Sequence, residues 1–192
     1  MKTKKVNVLI TVCMFSAAVF TTAFAQKDSK KVAIKENEEK FEDTKLEKDA
    51  KFVVEACDAG MFQVMASELA KRKSSTQMVK DLADKLIKDH SQFNAELKNV
   101  AKDRNITIPE KLSLKYQRKF DNLNEETEDF DRVYTRVIVN DHKDMIDMYE
   151  KEADKGEVAE IRSWASKKIP TLKQHMEMAE NVRDSVREVS VK

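Results

Sequence analysis

Apolar residues recur at three- and four-residue steps along most of this chain, and charged residues fill the positions between them. That period belongs to α-helices with one dry face. Over residues 46–73, Phe52, Ala56, Ala59, Gln63, Ala66 and Ala70 share a face, with Gly60 interrupting the segment. A mid-helix glycine costs about 1 kcal/mol relative to alanine, so Gly60 marks a bend or a close approach of another helix. Ser74 and Ser75 end the segment, and Ser75 or Thr76 is placed to cap the next. Over residues 77–103, Val79, Leu82, Leu86, His90, Phe93, Leu97 and Val100 make an unbroken stripe. Residues 105–109 form the turn out, and a shorter helix over 110–122 bridges to the second half.

A third long helix is predicted over 126–154, with Phe130, Tyr134, Ile138, His142, Met145 and Tyr149 on its dry face. Gly156 ends it as a C′ glycine. The fourth covers 157–188 and buries Ile161, Ala165, Leu172, His175, Ala179, Val182 and Val186. Pro170 lies inside it, so a kink or break is expected near Lys168 and Ile169. The pattern predicts an all-α fold over residues 45–188: an antiparallel four-helix bundle with a short extra helix between two hairpins.

The amino-terminal end departs from this pattern. Lys2, Lys4 and Lys5 precede an uncharged, mostly apolar stretch over 6–20, and Ala23-Phe24-Ala25 follows. This reads as a signal peptide over residues 1–25, cleaved before Gln26, too short in its apolar core for a membrane span. Cys13 has no small-residue run before it, which argues against lipid attachment. The expected location is the periplasm or envelope. Residues 26–44 are dense in Lys, Glu, Asp and Ser and poor in apolar residues, so a flexible charged leader is expected there.

Charge then narrows the function. The full chain has a formal charge of +1. Loss of residues 1–25 removes three lysines and no acid, which leaves −2. A near-neutral chain has no electrostatic case for nucleic acid. Cys57 is the one cysteine left after cleavage, and its alanine-rich helical surroundings make it a buried thiol. No nucleophile–base pair is visible, and Trp164 reads as an aromatic that packs one hairpin.

All three histidines of the chain fall on dry faces, each near the middle of a different helix. If a dry stripe covers about a third of a helix, three of three occurs about 4% of the time by chance. Helix midpoints of an antiparallel bundle share one level, so His90, His142 and His175 can converge there. Gln63 is the nearest inward polar residue of the first long helix, and Asp131 and Tyr134 can hydrogen-bond from the flank. Two chemistries compete for this layer. One is a transition-metal site for Zn, Fe or Cu, since imidazole suits these ions. The other is a metal-free hydrogen-bond network that fixes helix register. His-x-x-Met recurs at Met145 and Met178, a softer donor set that suits Cu(I), although methionine at helical spacing is ordinarily core filler. Di-iron bundles carry Glu-x-x-His on two helices. Ile87 and Leu172 stand at those glutamate positions here, so ferroxidase chemistry has no support.

A set of local matches runs from about residue 49 to 182. It comprises Phe52-Val53, Gly60, Leu69-Ala70, Val79, Lys80, Leu86-Ile87-Lys88-Asp89-His90 and Leu97, then Phe130-Asp131-Arg132, Tyr134, Asp141-His142, Ile169-Pro170-Thr171-Leu172 and His175. With these the chain resembles the DUF4142 family of exported bacterial proteins of unknown function. The resemblance implies a ferritin-like bundle in the periplasm or envelope, with histidines at the three matched positions. Where the family tends to carry Glu in the first long helix, this chain has Gln63, a poorer ligand for hard metals. The expected function is a non-catalytic envelope protein, stress-related or acting through an unidentified protein partner. A metal-binding protein built on the histidine layer is the alternative, and a small-molecule binder with an interhelical pocket is a third.

Overall fold

The computed structural model describes residues 27–189, so the signal-peptide expectation lies outside the described residues. Among them there are six α-helices and no strand: α1 Ser29–Phe41, α2 Leu46–Lys73, α3 Gln77–Asp103, α4 Leu114–Glu125, α5 Phe130–Lys155 and α6 Ala159–Val189. None of these helices is long and apolar enough to cross a membrane. The chain turns back between α2 and α3, and again between α5 and α6, and each pair packs along its length. α2 also packs on α5, and α3 on α6.

The dry faces read from the period are the buried ones. Every residue of the α5 and α6 stripes is buried, as is the α3 stripe through Leu97. Val100 is half-buried and Ala101 takes the last core position. Four aromatics close one part of the core: the Phe52 and Tyr149 rings lie 5.1 Å apart, and Trp164 lies 5.7 Å from Tyr149 and 6.3 Å from Phe93. Trp164 therefore ties both hairpins together, and its indole N–H donates to Glu96 Oε2 at 2.7 Å.

α2 is buried well beyond one stripe, because other helices cover several of its sides. Val53, Val54, Asp58, Phe62 and Ser67 are all closed to solvent. Part of that cover is α1, which corrects the expectation of a flexible leader over 26–44. Lys, Glu and Ala form helix readily, Asp28 caps the first turn, and a buried asparagine replaces the missing apolar stripe. Asn37 donates through Nδ2 to the Thr107 carbonyl at 2.7 Å and accepts from the Thr107 N–H at 2.8 Å. Lys30 reaches the buried Asp58 carboxylate at 3.6 Å. Composition had suggested too little apolar surface to bury, and a two-way amide clamp supplied the specificity instead.

The remaining differences are local and have local causes. α4 starts at Leu114 rather than 110, since Ser113 is its N-cap and the Asp58 carboxylate holds the Ser113 N–H at 2.8 Å. α5 starts at Phe130 rather than 126, because Glu126 Oε1 accepts from the N–H groups of Thr127 and Asp129 and so favours a turn. Thr76 is the N-cap of α3 without a capping bond; its hydroxyl donates to Asp131 on α5. α6 runs through Pro170 without a break. Gly156 ends α5 with φ −59°, not in the left-handed region. It is needed for space, since a Cβ there would collide with Glu152. Gly60 marks a close approach: a Cβ would strike the Asn94 side chain of α3. The left-handed C′ position falls to Asn105, φ 54°, where Ile106 N–H donates to the Ala101 carbonyl at 2.8 Å.

The Asn37 clamp generates a prediction. Asn37→Ala removes both bonds and leaves the Thr107 amide to find water, so stability should fall by about 1–3 kcal/mol. Urea unfolding followed by circular dichroism measures this, and an unchanged midpoint would mean that α1 contributes nothing to the fold.

Candidate metal centre

The α3 stripe turns His90 inward between Leu86 and Phe93. The α5 stripe does the same for His142, and the α6 stripe for His175. All three are 0% exposed. Their ring centroids form a near-equilateral triangle with sides of 5.3, 5.2 and 5.4 Å. One nitrogen from each ring can be chosen so that all three lie within 4.8 Å of one another. Even with all three separations at that limit, one central point lies within about 2.8 Å of every nitrogen, against about 2.0–2.1 Å in a formed zinc–imidazole bond. The convergence of the three histidines expected from helix midpoints is present, and closure onto one ion needs ring shifts of up to about 0.7 Å, on the order of that difference.

Hydrogen-bond partners decide which nitrogens hold lone pairs. His142 Nδ1 lies 2.9 Å from the Ile138 carbonyl, which can only accept. Nδ1 therefore carries the hydrogen, and Nε2 presents a lone pair. His175 Nε2 lies 2.8 Å from Asp89 Oδ2. An ionised carboxylate also only accepts, so His175 Nδ1 presents its lone pair, and that atom has no partner within the protein. His90 Nε2 lies 3.3 Å from His142 Nε2 and must supply the proton in that contact. His90 Nδ1 is likewise without a partner. Anchoring the far nitrogen on a carbonyl or carboxylate is how proteins orient imidazoles toward metals.

Gln63 is 0% exposed on α2, and neither its amide nitrogen nor its amide oxygen has a hydrogen-bond partner. Asp131 and Tyr134 are not brought to the layer. Tyr134 hydrogen-bonds Ser67 Oγ at 2.9 Å, and Asp131 holds Thr76. Eight residues of helix separate Tyr134 from His142, a rise of about 12 Å, which is too far for a flanking bond. Met145 is buried and Met178 half-buried, both packed with the core.

Two residues of this centre were not read as such from sequence: Asp89 and Lys85. Lys85 Nζ lies 2.7 Å from Asp89 Oδ2, the atom that also meets His175. The signal was present, since Asp89 precedes His90 and so points one-third of a turn away, toward a neighbouring helix. Asp141, which precedes His142 in the same way, is instead held by Lys119 of α4. The two Asp-His pairs look alike in sequence and serve different helices.

A family model described as a domain of unknown function, DUF4142, matches residues 35–182. The chain belongs to this family. No curated protein and no solved structure matches it. The DUF4142 span takes in all three histidines, Gln63, Asp89 and the larger part of α1, so it begins earlier than the resemblance at residue 49 implied.

In this DUF4142 chain burial governs the charge of the triad. Desolvation holds His90 well below its ordinary value of 6.5, and a proton on His142 or His175 would lower it further. Desolvation takes His142 down to about 3. Desolvation also lowers His175, against the pull of Asp89. Burial tends to raise the Asp89 carboxyl, but hydrogen bonds from Lys85 and His175 outweigh it and hold it low. Neutral imidazoles can ligate a metal, and the proton assigned to His90 Nε2 would have to move to Nδ1 for Nε2 to do so. Elsewhere, burial pushes the Cys57 thiol up to about 12, which makes it a poor nucleophile.

These shifts predict a loss of stability in acid for the metal-free protein. Each folded-state pKa lies below the unfolded value of about 6.5. Above that pH neither state takes the proton. As pH falls below it, the unfolded chain gains protons that the folded chain refuses. Stability should therefore decline from about pH 6.5 toward 5, by up to ~1.4 kcal/mol per pH unit for each histidine. Urea midpoints at several pH values measure the slope, and His142→Gln should reduce it by roughly a third, its share of three equivalent sites.

Proposed function

We propose that this chain is an exported protein whose four long helices form an antiparallel, ferritin-like bundle, and whose histidine triad binds one transition-metal ion in the bundle core. It acts by binding rather than by catalysis. The observation that carries the metal reading is the second hydrogen bond of two histidines. Ile138 and Asp89 each occupy one ring nitrogen, and of the other two, His142 Nε2 meets His90 while His175 Nδ1 has no partner among the described residues. A network built only to fix register would have no use for unpartnered nitrogens on His90 and His175, since an unmade buried hydrogen bond costs about 1–3 kcal/mol.

The bundle reading is supported by the two hairpins and by the packing of α2 on α5 and α3 on α6. The export reading is supported by the amino-terminal lysines, the apolar stretch and the Ala23-Phe24-Ala25 site. The non-catalytic reading follows from Ile87 and Leu172 at the positions where di-iron bundles place glutamates. The hydrogen-bond network remains the second reading, favoured by the single contact between His90 and His142 at 3.3 Å.

Protein stripped of metal should melt at higher temperature when Zn, Cu, Fe or Mn salts are added in turn. A ligand at a hundred times its Kd adds about 2.7 kcal/mol to stability, a shift readily seen by calorimetry. Asp89→Asn should weaken metal affinity about 10- to 100-fold through loss of the anchor on His175. Should no metal move the melting temperature, the network reading replaces this one. Export predicts a mature chain beginning at Gln26, which intact mass of the protein recovered outside the cytoplasm would check.

A further inference from the structure

The triad is unusual in its charge. Its three donors are neutral imidazoles, and Gln63, the buried polar side chain expected at the same level, is a neutral amide. Two acids flank the histidines in sequence, and each is matched by a lysine. Asp89 pairs with Lys85 at 2.7 Å, and Asp141 pairs with Lys119. The protein around the triad therefore offers an ion no net negative charge. All three rings are also 0% exposed, so bulk water does not screen a charge placed among them.

The penalty for placing an ion in such a setting grows as the square of its charge. A monovalent ion meets about a quarter of the desolvation penalty of a divalent one of equal size. Coordination number is compatible with this: zinc held by three protein ligands takes water or substrate as a fourth, whereas Cu(I) is content with three donors in a plane. Three rings at 5.2–5.4 Å centroid spacing supply three. Gln63 does not reverse the argument, because an amide oxygen adds a ligand without adding charge.

We propose that the buried triad of His90, His142 and His175 is a site for monovalent copper, selected over divalent ions because lysine pairing cancels the nearby carboxylates. This rests on the metal reading above and narrows it to one ion. Lys85 becomes a residue that sets selectivity without touching the metal. With Lys85 in place, Asp89 anchors His175 and contributes little field. Without it, the Asp89 charge would act on the ion, twice as strongly on a dication as on a monocation.

The test uses the full chain stripped of metal, kept anaerobic, with Cu(I) measured against a chromogenic Cu(I) chelator and Zn(II) against a fluorescent zinc chelator. Cu(I) should bind at least about 100-fold more tightly than Zn(II). Lys85→Met, at a half-buried position, should narrow that ratio about tenfold by improving Zn(II) binding. Zinc binding as tight as copper or tighter would overturn the copper assignment and leave the metal reading intact. A preference for Cu(I) that Lys85→Met leaves unchanged would overturn the charge mechanism. Binding of neither ion, with circular dichroism still showing a folded protein, would remove the metal reading and this one with it.

Discussion

Three imidazoles share one dry layer of this core, and desolvation is the interaction that decides what they are. A charged imidazole in that layer would forfeit its hydration, so burial favours the neutral form of all three rings. Neutrality fixes the hydrogen-bond roles. Each ring then has one N–H and one lone pair, and the Ile138 carbonyl and the Asp89 carboxylate claim the N–H of two of them. His142 Nε2 and His175 Nδ1 are left with the lone pairs. The same constraint sets helix register, because a slip of one residue in α3, α5 or α6 would rotate a histidine by about 100° and strand it against a packed helix.

α2 supplies no histidine, yet it organises the helices that do. Its buried acids serve backbone amides outside their own helix. Asp49 accepts from the N–H groups of Glu157 and Val158, at 3.1 and 2.6 Å, where the chain enters α6. Asp58 accepts from Ser113 at the start of α4. A carboxylate near a helix N-terminus satisfies unpaired donors and complements the helix dipole. These contacts set where α6 begins, and hence how far along it His175 lies. Gly60 lets α3 come close at Asn94, about one helical turn beyond His90. Local choices along α2 thus converge on the level of the triad.

The long helices were legible because amphipathic period needs no tertiary knowledge. α2 and α3 fall where the period put them, and the inward histidines followed from the same arithmetic. What was hidden was polar and non-local. α1 carries almost no apolar stripe, and it is held by Asn37 clamping Thr107, 70 residues away. No periodicity reports such a pair. Gly156 looked like a conformational signal but answers to the bulk of Glu152, which only the folded chain reveals. Asp131 and Tyr134 were candidate flanking partners two to three turns from His142, and each instead bonds a residue near its own end of the helix, Thr76 and Ser67. Asp89 was the reverse case. It sits off the dry face, where amphipathic reasoning assigns solvent, and there it meets His175 across a helix boundary.

The lack of an inward carboxylate at the triad is best understood against the acids that this core does contain. Asp49, Asp58, Asp141 and Glu152 are all buried. Burial raises the Asp58 and Asp141 carboxyls, and pushes Glu152 up to about 7. The interior is therefore not closed to acids. Asp49 and Asp58 face backbone N–H groups, and Asp141 faces a lysine that offsets its charge. Gln63 is fully buried with no hydrogen-bond partner among the described residues, so a carboxylate at that position would meet desolvation without a partner. Gln63 avoids that penalty. Under the proposed metal reading, the neutral amide lets the chain fold before any ion binds, whereas a glutamate there would lean on its metal to fold.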